Sequence, residues 1–90
     1  DYLFASNRGH DSIAVYRIQP DGTLELSQIV KTGGKTPRDF TLFDDYLVAA
    51  NQDSDSITVL RMDWERGTLE STGISATTVR PTCIRKYRNL

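Results

Sequence analysis

The segment SNRGHDSIAVYRI, Ser6 to Ile18, returns as ANQDSDSITVLRM, Ala50 to Met62. An offset of 44 residues, Tyr2 onto Tyr46, aligns Leu3 with Leu47, Ala5 with Ala49, Asn7 with Asn51 and Asp11 with Asp55. Ser12 and Ser56, Ile13 and Ile57, Val15 and Val59, and Arg17 and Arg61 follow in step. One extra residue near Trp64 shifts the next turn, so that Gly22-Thr23-Leu24-Glu25 meets Gly67-Thr68-Leu69-Glu70. Pro37 then meets Pro81 back in register. A repeat of this length belongs to propeller blades or to helical solenoids.

Local pattern decides between the two. YLFAS (Tyr2 to Ser6) and YLVAA (Tyr46 to Ala50) are apolar runs of buried-strand length. SIAVYRI and SITVLRM are rich in β-branched and aromatic residues and partly alternate. The turns PDG (Pro20 to Gly22) and RG (Arg66, Gly67) lead into the more polar LELSQIV and LESTGIS, and RDFTLF, Arg38 to Phe43, ends at Asp44 and Asp45. No segment holds a helical apolar stripe over three turns. The expected strands are 2–7, 12–19 and 24–31, then 38–43, 46–51, 56–63 and 69–76, with a last strand at 82–87. The fold class is all-β, with about two four-stranded antiparallel blades of a β-propeller. Blade repeats run from about 1 to 37 and 38 to 81. Ile13, Val15, Phe40, Leu47, Val48, Ile57 and Val59 are the expected core.

Composition narrows the function classes. Charged residues make up 26% and hydrophobic ones 38%, an ordinary globular balance. A net charge of −1 gives no footing for nucleic acid or a membrane surface, and no apolar run reaches membrane-helix length. Asp1 opens directly on an apolar run, as the interior of a longer chain would. Blade units need neighbours to bury their faces, so the remaining blades of the same protein are expected partners. The single cysteine, Cys83, fits a reducing cytoplasm and reads as a buried structural thiol. Trp64 reads as packing on the outside of its blade. No His, Cys and carboxylate cluster has metal-ligand spacing, so neither metal nor cofactor is expected.

Strand alternation places Asn7–Ser12, Thr32–Asp39, Asn51–Ser56 and Thr77–Thr82 on one rim, with PDG and Asp44-Asp45 on the other. Binding residues concentrate on such loops. Asp11, Asp53 and Asp55 have a structural use there, since aspartate caps turns through side-chain to backbone hydrogen bonds. TGGKT, Thr32 to Thr36, lacks the full phosphate-loop spacing and joins two strands, which excludes that motif. The repeat separates scaffold from chemistry. Arg8 becomes Gln52 and Arg38 becomes Thr82 in the second unit, and His10 becomes Ser54.

YLFASNRGHDSIAVYRI, DGTLELSQIVKTGGKTPRDF and YLVAANQDSDSITVLRMD resemble the seven-bladed propeller lactonases of the 6-phosphogluconolactonase type. The resemblance covers essentially the whole chain, and NRGHDS, TGGKTPRDF and ANQDSDS are its specific part. RPTCI resembles the family's carboxy-terminal strand, which makes the chain roughly the last quarter of one such propeller domain. The resemblance implies hydrolysis of a phosphorylated sugar lactone, 6-phosphoglucono-δ-lactone, in the pentose phosphate pathway. Two alternatives stand beside it: a lactonizing or other sugar-acid enzyme on the same propeller, and a non-catalytic repeat that binds protein.

Water attack on a lactone carbonyl needs a base and positive charge for the oxyanion. A phosphorylated substrate also needs anion-binding cations, and arginine offers a planar fork. The resemblance assigns Arg8 and Arg38 to substrate-anion or oxyanion contacts. His10 is the only histidine and the candidate base. Asn7, Lys35, Asn51 and Gln52 are the expected substrate-binding residues. The resemblance also implies that essential acid–base groups come from blades outside this chain.

Overall fold

β-Branched and aromatic residues between aspartate- and glycine-bearing turns form strands throughout the chain. The computed structural model describes residues 1–85. Seven strands follow in order: β1 (Tyr2–Asn7), β2 (Ser12–Ile18), β3 (Leu24–Lys31), β4 (Pro37–Phe43), β5 (Tyr46–Asn51), β6 (Ser56–Asp63) and β7 (Thr68–Thr77). They form two antiparallel meanders, β1-β2-β3 and β4-β5-β6-β7. A single 3-10 turn at Gln52–Ser54 is the one helical element among the described residues.

The expected last strand is corrected in part. Residues 82–85 carry no strand, and residues 86 and 87 lie outside the described residues. This segment runs beside β4 nonetheless. Ile84 N donates to Asp39 Oδ2 at 2.8 Å, and Thr41 Oγ1 donates to the Ile84 carbonyl at 3.3 Å. Side chains of β4 hold it, and residues 82–85 form no backbone ladder with β4.

The turns carry their own bonds. In the 20–22 turn, Asp21 accepts from Thr23 Oγ1 at 2.6 Å and from Thr23 N at 3.0 Å. These bonds lower the Asp21 carboxyl pKa, the Thr23 hydroxyl being the larger cause. A lowered carboxyl supports the turn above its ordinary titration range, and that support fades as pH falls through the folded-state value.

Pairing register decides which residues meet between the sheets. Tyr2, Phe4 and Ser6 lie opposite Arg17, Val15 and Ile13, so these six share one face of the first sheet. On the second sheet Leu47, Ala49 and Asn51 lie opposite Leu60, Thr58 and Ser56. These two faces pack together. Ile13, Val15, Leu47, Ala49, Leu60, Met62 and Leu69 form the buried cluster, with Tyr2, Phe4, Val30, Phe40 and Leu42 packed against it.

The expected core is therefore half corrected. Ile13, Val15 and Leu47 are fully buried and Phe40 flanks the cluster, but Val48, Ile57 and Val59 are only half-buried. Ile57 and Val59 repeat Ile13 and Val15 one blade later, on the face pointing away from the first sheet. Leu60 and Met62 occupy the buried positions of β6 instead. The opposite face of the first sheet leaves Leu3 exposed, the repeat counterpart of buried Leu47.

At the far rim the first sheet grips the β6–β7 turn by its backbone. Gln28 Nε2 donates to the Leu69 carbonyl at 2.9 Å, and Leu69 N donates to Gln28 Oε1 at 2.6 Å. Ser27 Oγ donates to the Gly67 carbonyl and Tyr2 Oη to the Trp64 carbonyl, both at 2.6 Å. Trp64 lies 5.8 Å from Tyr2 with the rings tilted by 50° and edge-on at 6.4 Å to Phe4, so it packs across the junction rather than outside its own blade. Cys83 is exposed, which corrects its expected burial.

Gly67 makes this grip possible. Its φ is +71°, and a Cβ there would lie 2.7 Å from Ser27 Oγ and 2.8 Å from Arg17 Nη2 and Tyr2 Cε1. Gly22 has a φ of +86° but open space around it. In the full-length protein Gly22→Ala should cost about 1–2 kcal/mol through backbone conformation alone. Gly67→Ala should cost more, because the junction must also shift. Denaturant midpoints of the two variants test this, and equal losses would contradict the tight junction.

Candidate substrate rim

The β1–β2, β3–β4 and β5–β6 connections emerge on one rim, as alternating strand direction requires, and they are bonded to one another. Thr36 is the meeting point. Its N–H donates to Asp11 Oδ1 at 2.8 Å, its carbonyl accepts from Gln52 N at 2.9 Å, and its hydroxyl donates to Asp53 Oδ2. Pro20 and Asp44 lie in the turns of the opposite rim, away from Arg8, His10, Arg38 and Gln52.

One device builds this rim twice. Asp11 and Asp55 both hold left-handed backbone, at φ 60° and 50°. The carbonyls of Asp11 and Asp55 accept from Thr32 N at 3.0 Å and Thr78 N at 2.8 Å, respectively. Their carboxylates accept from Thr36 N at 2.8 Å and Arg80 N at 2.9 Å. Thr36 and Arg80, 44 residues apart like the aspartates, are themselves at positive φ. Aspartate tolerates this conformation better than most residues because its short polar side chain bonds locally. Asp53 departs from a simple cap, since it accepts from Thr36 across the rim.

Against that scaffold the expected site residues divide. Arg8 is exposed and, among the described residues, has no hydrogen-bond or ion-pair partner. Arg38 is exposed, and its Nη1 donates weakly to Gln52 Oε1 at 3.5 Å. His10 is exposed, with Nδ1 at 2.8 Å from Ser12 Oγ. Lys35 offers its ammonium to solvent, while its backbone N donates to Ser54 Oγ at 2.9 Å. Gln52 is half-buried at the foot of Arg38. Asn7 is exposed at the end of β1.

Asn51 differs from its repeat partner Asn7. It is fully buried, accepting from Thr32 Oγ1 at 2.9 Å and donating to Thr58 Oγ1 at 2.9 Å. Gly34 lies so close that a Cβ there would sit 2.4 Å from Asn51 Cγ. The Asn51 amide thus bonds the start of the β3–β4 connection to the second sheet. The difference from Asn7 comes from the neighbour: Thr32 of the β3–β4 connection covers Asn51, and no described residue covers Asn7 in the same way.

A concavity of about 550 Å³ lies at the opposite rim beside Arg61, Asp63, Trp64 and Glu70. A smaller groove of about 200 Å³ runs between Thr32-Gly33 and β7 at Gly73 and Ile74. Neither is lined by Arg8, His10 or Arg38, and all three residues are exposed. Among the described residues no three His, Cys, Asp or Glu side chains are grouped to hold a metal ion. The linking role of Thr36 was not anticipated from the sequence. Its signal was the fixed spacing of Asp11 and Pro37, repeated at Asp55 and Pro81.

Two blade-like sheets joined face to face, with an aspartate-built rim, agree with what the chain is similar to. Residues 1–86 match the family described as "Lactonase, 7-bladed beta-propeller". The chain belongs to that family. It is 40% identical over 92 aligned residues to an uncharacterized protein of Staphylococcus saprophyticus, covering 98% of this chain and 27% of that protein. An uncharacterized protein of Lactococcus lactis subsp. cremoris is 46% identical over 71 residues, covering 76% of this chain and 21% of its own length. The chain thus spans about a quarter of the curated relatives it matches.

Among solved structures, a "putative 6-phosphogluconolactonase" of Bacteroides uniformis superposes with a TM-score of 0.85 at 37% identity, covering 91% of this chain and 25% of that one. A periplasmic gluconolactonase of Pseudomonas aeruginosa gives 0.87 at 27% identity, covering 93% and 24%. The lactonase-type propeller is therefore the frame for the site.

Removing the Asn51 amide takes its 2.9 Å bonds from the Thr32 and Thr58 hydroxyls and leaves Thr32 Oγ1 only longer contacts, at 3.3–3.4 Å, with Asp11 and Gly34. Asn51→Ala should destabilise the full-length protein by about 1–3 kcal/mol. Arg8→Ala, at an exposed unpaired side chain, should stay within about 0.5 kcal/mol of wild type. Chemical denaturation separates the two, and a neutral Asn51→Ala would remove the bonding role.

Proposed function

We propose that the protein containing this chain hydrolyses 6-phosphoglucono-δ-lactone to 6-phosphogluconate, with the rim bearing Arg8, His10 and Arg38 facing the substrate. The observation that carries the reading is the pair of exposed arginines on one bonded rim of a lactonase-family propeller. Both arginines are absent from the matching positions of the second repeat, so scaffold needs do not account for them.

The chemistry follows from the reaction. Water adds to the lactone carbonyl, the ring C–O bond breaks, and the ring oxygen leaves as the hydroxyl of the open acid. Charge builds on the carbonyl oxygen, and a nearby guanidinium stabilises it. Arg8 and Arg38 serve as oxyanion or phosphate contacts, with Lys35 and Asn7 beside them and Gln52 as a neutral donor. His10 is the candidate base on this rim, its Nδ1 held by Ser12 and its Nε2 left for water. The remaining blades complete the channel and cover the apolar faces that these two sheets expose. A cytoplasmic location, which the lone Cys83 suggests, and a place in the pentose phosphate pathway, which the resemblance implies, belong to the same reading.

The similarity to a gluconolactonase supports a second reading, in which the substrate carries no phosphate. The two differ in what the arginines do. On the phosphorylated substrate, full-length Arg8→Ala and Arg38→Ala should each lower kcat/KM more than about tenfold, the worth of a charge-assisted hydrogen bond. If the natural lactone is unphosphorylated, wild type will prefer gluconolactone. His10→Ala lowers kcat if His10 is the base, whereas a change confined to KM makes it a binding contact. The ninety-residue chain alone should leave the lactone at its spontaneous rate. Full activity in both arginine variants would sink the rim assignment.

A further inference from the structure

The Asp11 carboxylate joins the two loops that carry the rim cations. Its Oδ1 accepts from Gly9 N at 3.3 Å, inside the loop holding Arg8 and His10. The same oxygen accepts from Thr36 N at 2.8 Å, inside the connection that leads through Pro37 to Arg38. Beyond Thr36 the chain of bonds continues. Its carbonyl takes Gln52 N at 2.9 Å, and Gln52 Oε1 takes Arg38 Nη1 at 3.5 Å. One carboxylate oxygen therefore stands between Arg8 and His10 on one side and Arg38 and Gln52 on the other.

The second repeat identifies what is specific here. Asp55 makes the same bond, to Arg80 N, but its own loop carries Gln52 and Ser54 where Arg8 and His10 stand in the first. The clamp is common to both units, and in the first it links two loops bearing exposed cations. Proline follows Thr36 directly, so the backbone leading to Arg38 has little freedom once Thr36 is held.

We propose that Asp11 is a positioning residue for the lactone site, setting the separation and aim of Arg8 and Arg38 through the Gly9 and Thr36 amides. This rests on the functional reading above. The role is geometric: it needs the Oδ1 acceptor and left-handed backbone, and it does not need the negative charge. Misplacing contact groups by a fraction of their reach costs rate without removing any of them.

Two substitutions in the full-length protein separate these requirements. Asp11→Gly keeps the left-handed backbone and removes the acceptor. Asp11→Asn keeps both an oxygen acceptor and the backbone preference while removing the charge. Asp11→Gly should lower kcat/KM for 6-phosphogluconolactone about tenfold, and Asp11→Asn should recover most of that loss. In an Arg8→Ala, Arg38→Ala background, Asp11→Gly should cost no more than about twofold, because a residue acting through the arginines loses its effect without them.

A full tenfold loss in that background would show that Asp11 does not act through the arginines and would overturn the proposal. Equal impairment in the Asn and Gly variants would overturn the geometric role, and so would wild-type kinetics in Asp11→Gly. Amide hydrogen exchange gives a readout independent of activity: Gly9 and Thr36 should exchange faster in Asp11→Gly and stay protected in Asp11→Asn. If wild type proves inactive on the lactone, the functional reading fails by itself. Unchanged exchange at Thr36 would overturn the positioning role in either case.

Discussion

Each sheet has two faces, and packing one face of the first sheet on the facing side of the second buries Ile13, Val15, Leu47, Leu60, Met62 and Leu69. Neither sheet could bury these residues alone, because a single twisted meander offers nothing to cover a face. The rim depends on the same packing. Asn51 sits at its upper end and ties Thr32 to Thr58, so the Thr32–Thr36 connection starts from a fixed point. The aspartate clamps then work on loops already brought together, and the exposed arginines stand on those loops.

The strand layout was legible because the repeat displays each strand twice. A run such as SIAVYRI is ambiguous by itself, but its return as SITVLRM at a fixed offset, with turn residues at the same places, excludes a helix. Rim assignment followed from strand alternation alone. Burial was less legible, and for a clear reason. Ile13 and Ile57 have equivalent sequence surroundings, and only the presence of a sheet on the facing side distinguishes them. Leu3 and Leu47, or Asn7 and Asn51, differ in the same way. Sequence periodicity reports which face a residue is on, and it says nothing of whether that face is occupied. The segment after Arg80 was misjudged for a related reason, since Asp39 and Thr41 hold it by side chains that mimic pairing without a ladder.

The candidate site is read from where the repeat breaks. Asp11 and Asp55, Pro37 and Pro81 persist because the backbone needs them at left-handed or restricted positions. Arg8, His10 and Arg38 do not persist, and the structure leaves all three exposed on that common frame. Absent from the sequence was the wiring between loops. Thr36 is an unremarkable residue in a polar stretch, and nothing local announces that it bonds three partners from two other loops.

The Gln28 amide bonds both backbone groups of Leu69, so a side chain stands in for one residue of a neighbouring strand. Together with Gly67 it sets how closely the outer edges of the two sheets approach. That distance fixes the wedge angle between successive blades. In a closed ring the wedge angles must sum to a full turn, so an error at each junction accumulates around the circle until the last blade cannot meet the first. Glycine at a junction of this kind works like a machinist's tolerance: an added methyl group would act on the circumference as well as on the site where it sits.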